Sequence, residues 1–490
     1  MYADSHAGYH GDELMHIDAG RHLAFGYADF PPVIGVLAFL QNLYGSDALH
    51  VNHFFVYLAS SLILVFCALI TWKLGGGRLS ILLTLTCIVF SPGLALMHSL
   101  FLPNVFEQLA WVGCFYLLVS YCNDPKNRYL VLFGIVSGMG FLTKYSVVFL
   151  LAGLVLSILC VQRSLLTKKY VWISLLIFLA VISPNLIWQI NHDFPMTRHF
   201  SALYDSQLDQ VSFVDEMTIL VLFLNPVITP LWIGALLVIH FVPRFKKYRI
   251  LSFTLLFAFL LFFISKGKFY YYMSLTLGLV SLASVYLEHL LINRKWIFIS
   301  YLSTICLAGL YLLPQGLPIM KLSSFIEMYK LEKNEDGNIP LAFEQFYSAS
   351  IWEQIISVVD STYQQLPGPE QDRCLTWGRH MSIAGGINLM GKSRDLPLAI
   401  SFHGSYYDWV PKFSTDKIVI AIGEDNWKEK TWEQYFEEVE EVAVIKNLYA
   451  SRPSWYSYRI FLCRKLKYDS EELKNLLKHE VYGKVEYNKN

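Results

Sequence analysis

Charge is scarce in the first two-thirds of this chain. Only 16% of its 490 residues are Asp, Glu, Lys or Arg, against about 25% in a soluble domain. Neither sign is in surplus: Lys+Arg and Asp+Glu both number 39, for a formal net charge of zero. With no basic excess, nucleic acid is not an expected partner. The eight cysteines form no Cys-x-x-Cys pair of the metal-binding kind. Six of them (Cys67, Cys87, Cys114, Cys122, Cys160 and Cys306) lie in or beside apolar stretches, where thiols act as small packing groups. Cys374 and Cys463 lie in a polar tail and can pair if that tail faces an oxidising compartment, or stay unpaired. Met1 is followed by a polar loop rather than a basic and then apolar leader. Internal repeats and low-complexity tracts are absent.

What the chain has instead is ten apolar stretches, near 51–72, 79–97, 106–122, 129–143, 145–161, 170–190, 217–241, 250–264, 270–291 and 296–314. Most approach the length that crosses a hydrocarbon core of about 30 Å. The stretches at 129–143, 145–161 and 250–264 are short, which fits tilted or re-entrant helices. Basic residues fall in every second loop: Lys73 and Arg78; Lys126 and Arg128; Arg163, Lys168 and Lys169; Arg244, Lys246, Lys247 and Arg249; Arg294 and Lys295. A soluble helical core has no reason to alternate its charge in this way. The positive-inside rule puts these loops in the cytoplasm. Loops 98–105, 191–216 and 265–269, the amino-terminal strip and everything after Pro314 are then outside.

Two domains follow. Residues 1–314 form an all-α polytopic membrane domain of about ten spans, with 1–50 as an outer-face loop and interfacial helix. Residues 315–490 form a small mixed α/β domain outside the membrane. Its runs Leu398–Phe402, Lys417–Ile422, Val442–Ile445 and Tyr458–Cys463 predict strands, and Glu433–Glu441 and Glu471–Leu477 predict helices. Near the amino terminus, Val33–Leu43 is too short to cross and predicts a helix lying in the outer interface.

The polar residues on the outer side suggest chemistry. Asp12 and Glu13 open a helical pattern, where Asp12 can serve as N-cap or as a working carboxylate and Glu13 as a first-turn charge. Asp18 and Arg21 are spaced to meet on one face. Asp29 leads a rigid Phe30-Pro31-Pro32 turn, and Asn104 and Glu107 follow Pro103. Lys144 lies between two apolar runs, and a lysine at membrane depth is a functional candidate by default. Arg198, Lys266, Lys268 and Tyr270-Tyr271-Tyr272 also fall on the outer side. Snorkelling and an aromatic belt account for the lysines and tyrosines singly. Cations on the side that the orientation rule disfavours point to an anionic partner such as a phosphate. His10, Asp12, Glu13 and His16 cluster in sequence, which leaves a divalent metal open, but no cofactor or metal ligand is assigned.

The strip Gly11-Asp12-Glu13-Leu14, followed by Gly20-Arg21-His22-Leu23-Ala24-Phe25-Gly26-Tyr27-Ala28-Asp29-Phe30-Pro31-Pro32, resembles the family 39-type glycosyltransferases of the GT-C class. Relatives there include the dolichyl-phosphate-mannose protein mannosyltransferases and the bacterial aminoarabinose transferases. Leu142-Thr143-Lys144-Tyr145-Ser146, Pro184-Asn185-Leu186-Ile187-Trp188-Gln189 and Phe402-His403-Gly404-Ser405-Tyr406-Tyr407-Asp408-Trp409 extend the likeness along nearly the whole chain. Members of that family carry a membrane helix before the Asp-Glu loop, so the fold expected is GT-C-like with this first helix missing.

The resemblance implies an enzyme of the bacterial inner membrane that works on the extracytoplasmic side. It would take a sugar from a polyprenyl phosphate and pass it to a hydroxyl of a glycan, lipid or protein. Asp12 matches the family's catalytic position, with Glu13 beside it. Asp29 and Glu107 would be supporting acids and Arg21 a supporting cation. Lys144, Lys266, Lys268 and Arg198, with Tyr271, are the candidates to bind the donor phosphate. The rivals are a transporter or lipid flippase, and an inactive truncated relative. A transport path calls for acids inside the spans, and the stretches here are nearly free of them.

Overall fold

All ten apolar stretches fold as helix in a computed structural model of the chain that describes residues 2–482. In an apolar medium each backbone N–H and C=O must find its partner locally, and the helix does this. Among the described residues, six helices are long and apolar enough to cross a membrane: Phe54–Lys73, Pro103–Asn123, Lys169–Asn191, Pro243–Ile264, Phe269–Leu290 and Lys295–Gln315. The stretch expected as one span at 217–241 is broken. Phe213–Phe223 and Pro226–Phe241 meet at 103°. The break falls at Asn225, whose φ of 70° lies in the left-handed region that Asn tolerates. Its side-chain amide donates to the carbonyls of Phe90 (3.2 Å) and Ile305 (3.1 Å), which anchors the bend. Arg78–Val89, Asn127–Phe141 and Val147–Val161 are 12, 15 and 15 residues long. At about 1.5 Å per residue they fall short of a full crossing. Length and composition thus select six crossings, or seven with the bent pair.

The bundle has two unlike ends. At one, the Tyr248 hydroxyl donates to the Lys73 carbonyl (3.0 Å) and the Asn123 amide oxygen (2.7 Å), and Glu288 accepts from the Gly77 N–H (2.7 Å). This gathers several of the basic loops. The opposite end carries the amino-terminal strip, the loops at 98–105, 142–146 and 265–268, and the tail domain. There Val33–Asn42 forms the expected short helix. It buries Ile34, Gly35, Ala38 and Gln41 and exposes Val36, Phe39 and Leu40, as a helix lying in an interface should.

The tail domain is built on a five-stranded sheet in the order β2-β1-β3-β5-β4. Its strands are β1 (Cys374–Gly378), β2 (Ala399–Ile400), β3 (Ile418–Glu424), β4 (Phe436–Lys446) and β5 (Ser457–Leu466). β1 runs parallel to β2 and β3, and β5 runs antiparallel to β3 and β4. Alternation on β3 divides the core. Ile418, Ile420 and Ile422 face helices Ser348–Gln364 and Met381–Met390 in a cluster continuous with the membrane domain. Val419 and Ala421 face a second cluster around Trp377, Trp432 and Phe461.

Two expectations change here. Glu433–Glu441, read as helix for its glutamates, is mostly β4. That edge strand matches its acids to the cations of β5, with Glu438 to Lys465 at 2.6 Å and Glu441 to Arg459 at 2.7 Å. Cross-strand pairing overrides helix propensity at such a site. Cys374 on β1 and Cys463 on β5 are free buried thiols with β3 between them. A separation of two strands, about 10 Å, exceeds the reach of a disulfide.

Candidate active site

The helix Gly11–Asp18 sets the site. Its N-cap is His10, not Asp12: His10 Nδ1 accepts from the Asp12 N–H (3.2 Å), and Glu13 reaches back to the His10 N–H (2.8 Å). This reciprocal box leaves the Asp12 carboxylate exposed, with no hydrogen bond or ion pair to it among the described residues. It stands in the first turn, where the helix dipole favours negative charge.

Its neighbour Glu13 is fully buried. One of its oxygens meets His53 Nε2 (2.7 Å) and the Phe101 N–H (2.6 Å). Burial alone would raise this carboxyl, but His53 and the two backbone N–H groups pull it below its ordinary value. Glu13 therefore ties the strip to the start of the Phe54–Lys73 helix and to the loop before Pro103.

Lys144, between the Asn127–Phe141 and Val147–Val161 helices, is held from several sides. Its Nζ donates to Asn104 Oδ1 (2.9 Å) and lies 3.5 Å from Glu107 Oε2. The rings of Tyr270 and Tyr271 flank it at 5.0 and 4.9 Å. Glu107 is buried and accepts from Ser146 Oγ (2.7 Å) and Trp111 Nε1 (3.2 Å). Lys268 caps the next helix of the same end and donates to Gln207 Oε1. Burial holds its ammonium below the ordinary value. Glu216 opposes this, Arg452 adds to it, Asp12 opposes it and Lys144 adds to it. Lys268 thus lies within electrostatic reach of both Asp12 and Lys144.

Other expected residues lie apart. Lys266 is partly exposed and pairs with Asp209 (2.7 Å) beside Tyr204. Arg198 is exposed, 3.8 Å from Asp193. Asp29 accepts from the N–H (2.9 Å) and hydroxyl (3.0 Å) of Ser405, with His199 Nδ1 at 3.6 Å. Arg21 binds Asp18 (3.1 Å) and the Asn388 carbonyl (2.8 Å), while Tyr406 (2.5 Å) and Asn388 (2.8 Å) also donate to Asp18.

Asp29 and Arg21 are therefore parts of a clasp between the strip and the tail domain. Two glycines permit its close approach. A Cβ on Gly8 would lie 2.1 Å from the Ala349 nitrogen, and one on Gly385 would lie 2.7 Å from the Leu14 carbonyl oxygen. Sequence reasoning missed Glu344 of the tail, which accepts from the Gly11 N–H and lies 3.5 Å from His10 Nδ1. Burial raises its carboxyl above the ordinary value. His10 and the Gly11 N–H offset part of that rise, and Asp12 and Glu13 add to it. No local pattern joins a residue at 344 to one at 11. Ser405 did lie inside a quoted motif, but without a role.

Among the described residues no group of three or more His, Cys, Asp or Glu side chains is arranged to hold a metal ion. Burial lowers the His16 imidazole to about 4 despite the nearby acids, and its ring packs edge-on against Phe30.

Residues 30–188 match the dolichyl-phosphate-mannose-protein mannosyltransferase family. That segment includes Glu107 and Lys144 and begins after Asp12 and Asp29. A lipid A galacturonosyltransferase, RgtD of Rhizobium johnstonii, is 28% identical over 196 residues, which cover 38% of this chain and 40% of that protein. The match thus spans about two-fifths of the relative's length. The crystal structure of ArnT from Cupriavidus metallidurans bound to undecaprenyl phosphate superposes with a TM-score of 0.58 at 12% identity, covering 94% of this chain and 95% of that one. Its apo structure gives the same TM-score, with 93% of each chain covered. The resemblance drawn from the sequence is borne out, and with it the helical membrane fold followed by a small mixed domain.

Proposed function

We infer that this chain, a GT-C-class protein of the aminoarabinose-transferase-like kind, moves a sugar from a polyprenyl phosphate to an acceptor hydroxyl at the membrane surface. The observation that carries this reading is the exposed Asp12 carboxylate, set on a helix N-terminus within electrostatic reach of Lys268, which in turn is within reach of Lys144. The undecaprenyl phosphate bound by the Cupriavidus protein supports a polyprenyl-phosphate donor. The lipid A galacturonosyltransferase relative supports a glycolipid acceptor.

In the mechanism, Asp12 takes the proton of the acceptor hydroxyl as general base. The oxygen attacks the anomeric carbon from the face opposite the phosphate, the carbon–oxygen bond to phosphate breaks, and configuration inverts. Negative charge gathers on the departing phosphate, where Lys144 and Lys268 stabilise it. Glu107 and Asn104 hold Lys144 in place, and Glu344 with His10 fixes the turn that presents Asp12. Tyr271 flanks Lys144 at the phosphate, and Lys266 and Arg198 are outer contacts for the donor head group. The basic loops lie at the far end of the bundle, which supports an extracytoplasmic site in a bacterial inner membrane.

The test uses purified membranes supplied with a panel of labelled polyprenyl-phosphate sugars and a glycolipid acceptor. The expected result is acceptor-dependent release of free polyprenyl phosphate and a product of inverted anomeric configuration. Release of no donor's lipid, or retention of configuration, contradicts the reading.

A further inference from the structure

The end of the bundle away from Asp12 holds a feature that the transfer reaction does not use. An apolar groove of about 460 Å³ runs between three helices, within the range of about 300–1,000 Å³ typical of ligand clefts. Its walls include Leu231, Gly234 and Val238 of Pro226–Phe241, Leu287 and Leu291 at the end of Phe269–Leu290, and Tyr301 of Lys295–Gln315. The Tyr301 hydroxyl donates to the Val227 carbonyl (2.6 Å), so its polar atom is already committed. Gly234 opens the groove further: a Cβ built there meets nothing within 4 Å.

The lining reaches Val242 and Ile297. Arg244, Lys246 and Lys247 follow the first, and Arg294 and Lys295 precede the second. All five cations are exposed, and none forms an ion pair among the described residues. Phe241 and Trp296, 76% and 70% exposed, stand beside them as interfacial aromatics do. An apolar slot that opens beside unanswered cations at the membrane boundary has the chemistry of one ligand class.

We propose that this groove binds an anionic phospholipid of the leaflet at the basic end, with an acyl chain along Gly234 and Leu287 and its phosphate beside Arg294 and Lys295, which follow the groove residue Leu291. Charge complementarity selects the headgroup, since a basic side chain near an anionic lipid surface attracts it measurably and a zwitterionic lipid offers no net charge. The groove lies at the end opposite Lys144 and Lys268, so its occupant is distinct from the donor proposed above. The binding does not depend on that reading.

The experiment is native mass spectrometry of the full chain, delipidated in detergent and then supplied with phosphatidylglycerol or phosphatidylcholine of identical acyl chains. The expected result is one phosphatidylglycerol retained per chain, preferred about tenfold. Gly234→Phe fills the groove and should lower retention of both lipids. Arg294→Gln with Lys295→Gln should bring the preference toward parity. This second variant changes only exposed side chains, so it reads the proposal even if Gly234→Phe does not fold. Equal retention of the two lipids by the unmodified protein overturns the proposal. So does undiminished retention in Gly234→Phe, or displacement of phosphatidylglycerol by polyprenyl phosphate.

Discussion

The two ends of the helical bundle both carry cations but hold them differently. At the end bearing Asp12, Lys144 is locked by Glu107 and Asn104, and Lys268 is tied to Gln207. At the other end Arg244, Lys246, Lys247, Arg294 and Lys295 stand exposed. A fixed cation keeps its position when a charge develops beside it, and so it can lower a barrier. An unfixed cation at a membrane boundary sets topology and attracts headgroups. The difference lies in the partners, not in the residue type.

The comparison breaks most visibly at Glu13. Glu13→Ala removes the nearer of the two carboxylates on buried His53, leaving Asp4 at 3.6 Å, and strips the acceptor from the Phe101 N–H; it should cost about 3 kcal/mol. A large drop in Tm is expected, and an unchanged Tm would show that buried charge at this end does not hold the strip.

Lys144→Met should come next, lowering turnover about 10²-fold while the folded state persists. The same change at Lys247, at the opposite end, should leave turnover within about twofold. Equal losses at the two lysines would erase the distinction between the ends.

Glu344→Gln gives a smaller effect that depends on pH. Its carboxyl is raised in the folded protein, so the folded state holds this proton more tightly than the unfolded chain does. That favours folding at low pH and is lost as pH rises above the ordinary carboxylate range. The neutral variant should therefore unfold at a higher temperature than the parent at high pH, and the gap should close at low pH. A gap that widens at low pH has the wrong sign. Lys266→Ala is the mildest change. Exposed ion pairs like that with Asp209 contribute about 0–1 kcal/mol, so turnover should stay within about twofold; a loss as large as that of Lys144→Met would bring Lys266 into the phosphate site.

Much of this architecture was legible in the chain. Apolar runs marked the helices because the membrane allows few other backbones. Alternate basic loops marked the two ends, and the i,i+3 spacing of Asp18 and Arg21 did produce contact at 3.1 Å. What escaped depended on distant partners. Local pattern does not distinguish Asp12 from Glu13 as the exposed acid, and only the family resemblance favours Asp12; His53 and Phe101, 40 and 88 residues away, decide it by burying Glu13. The clasp of Ser405 on Asp29 and of Glu344 on Gly11 crosses more than 300 residues. The glutamates of β4 suggested helix until the cations of β5 lay opposite them. The break at Asn225 needed the Phe90 and Ile305 carbonyls to accept its side chain.

The most direct test is Asp12→Asn, measured for both donor-lipid binding and release of free polyprenyl phosphate. Binding should survive, because Lys144 and Lys268 remain, while release should fall by about 10²-fold or more as the proton acceptor is lost. Release at the parent rate with binding intact would contradict Asp12 as the general base.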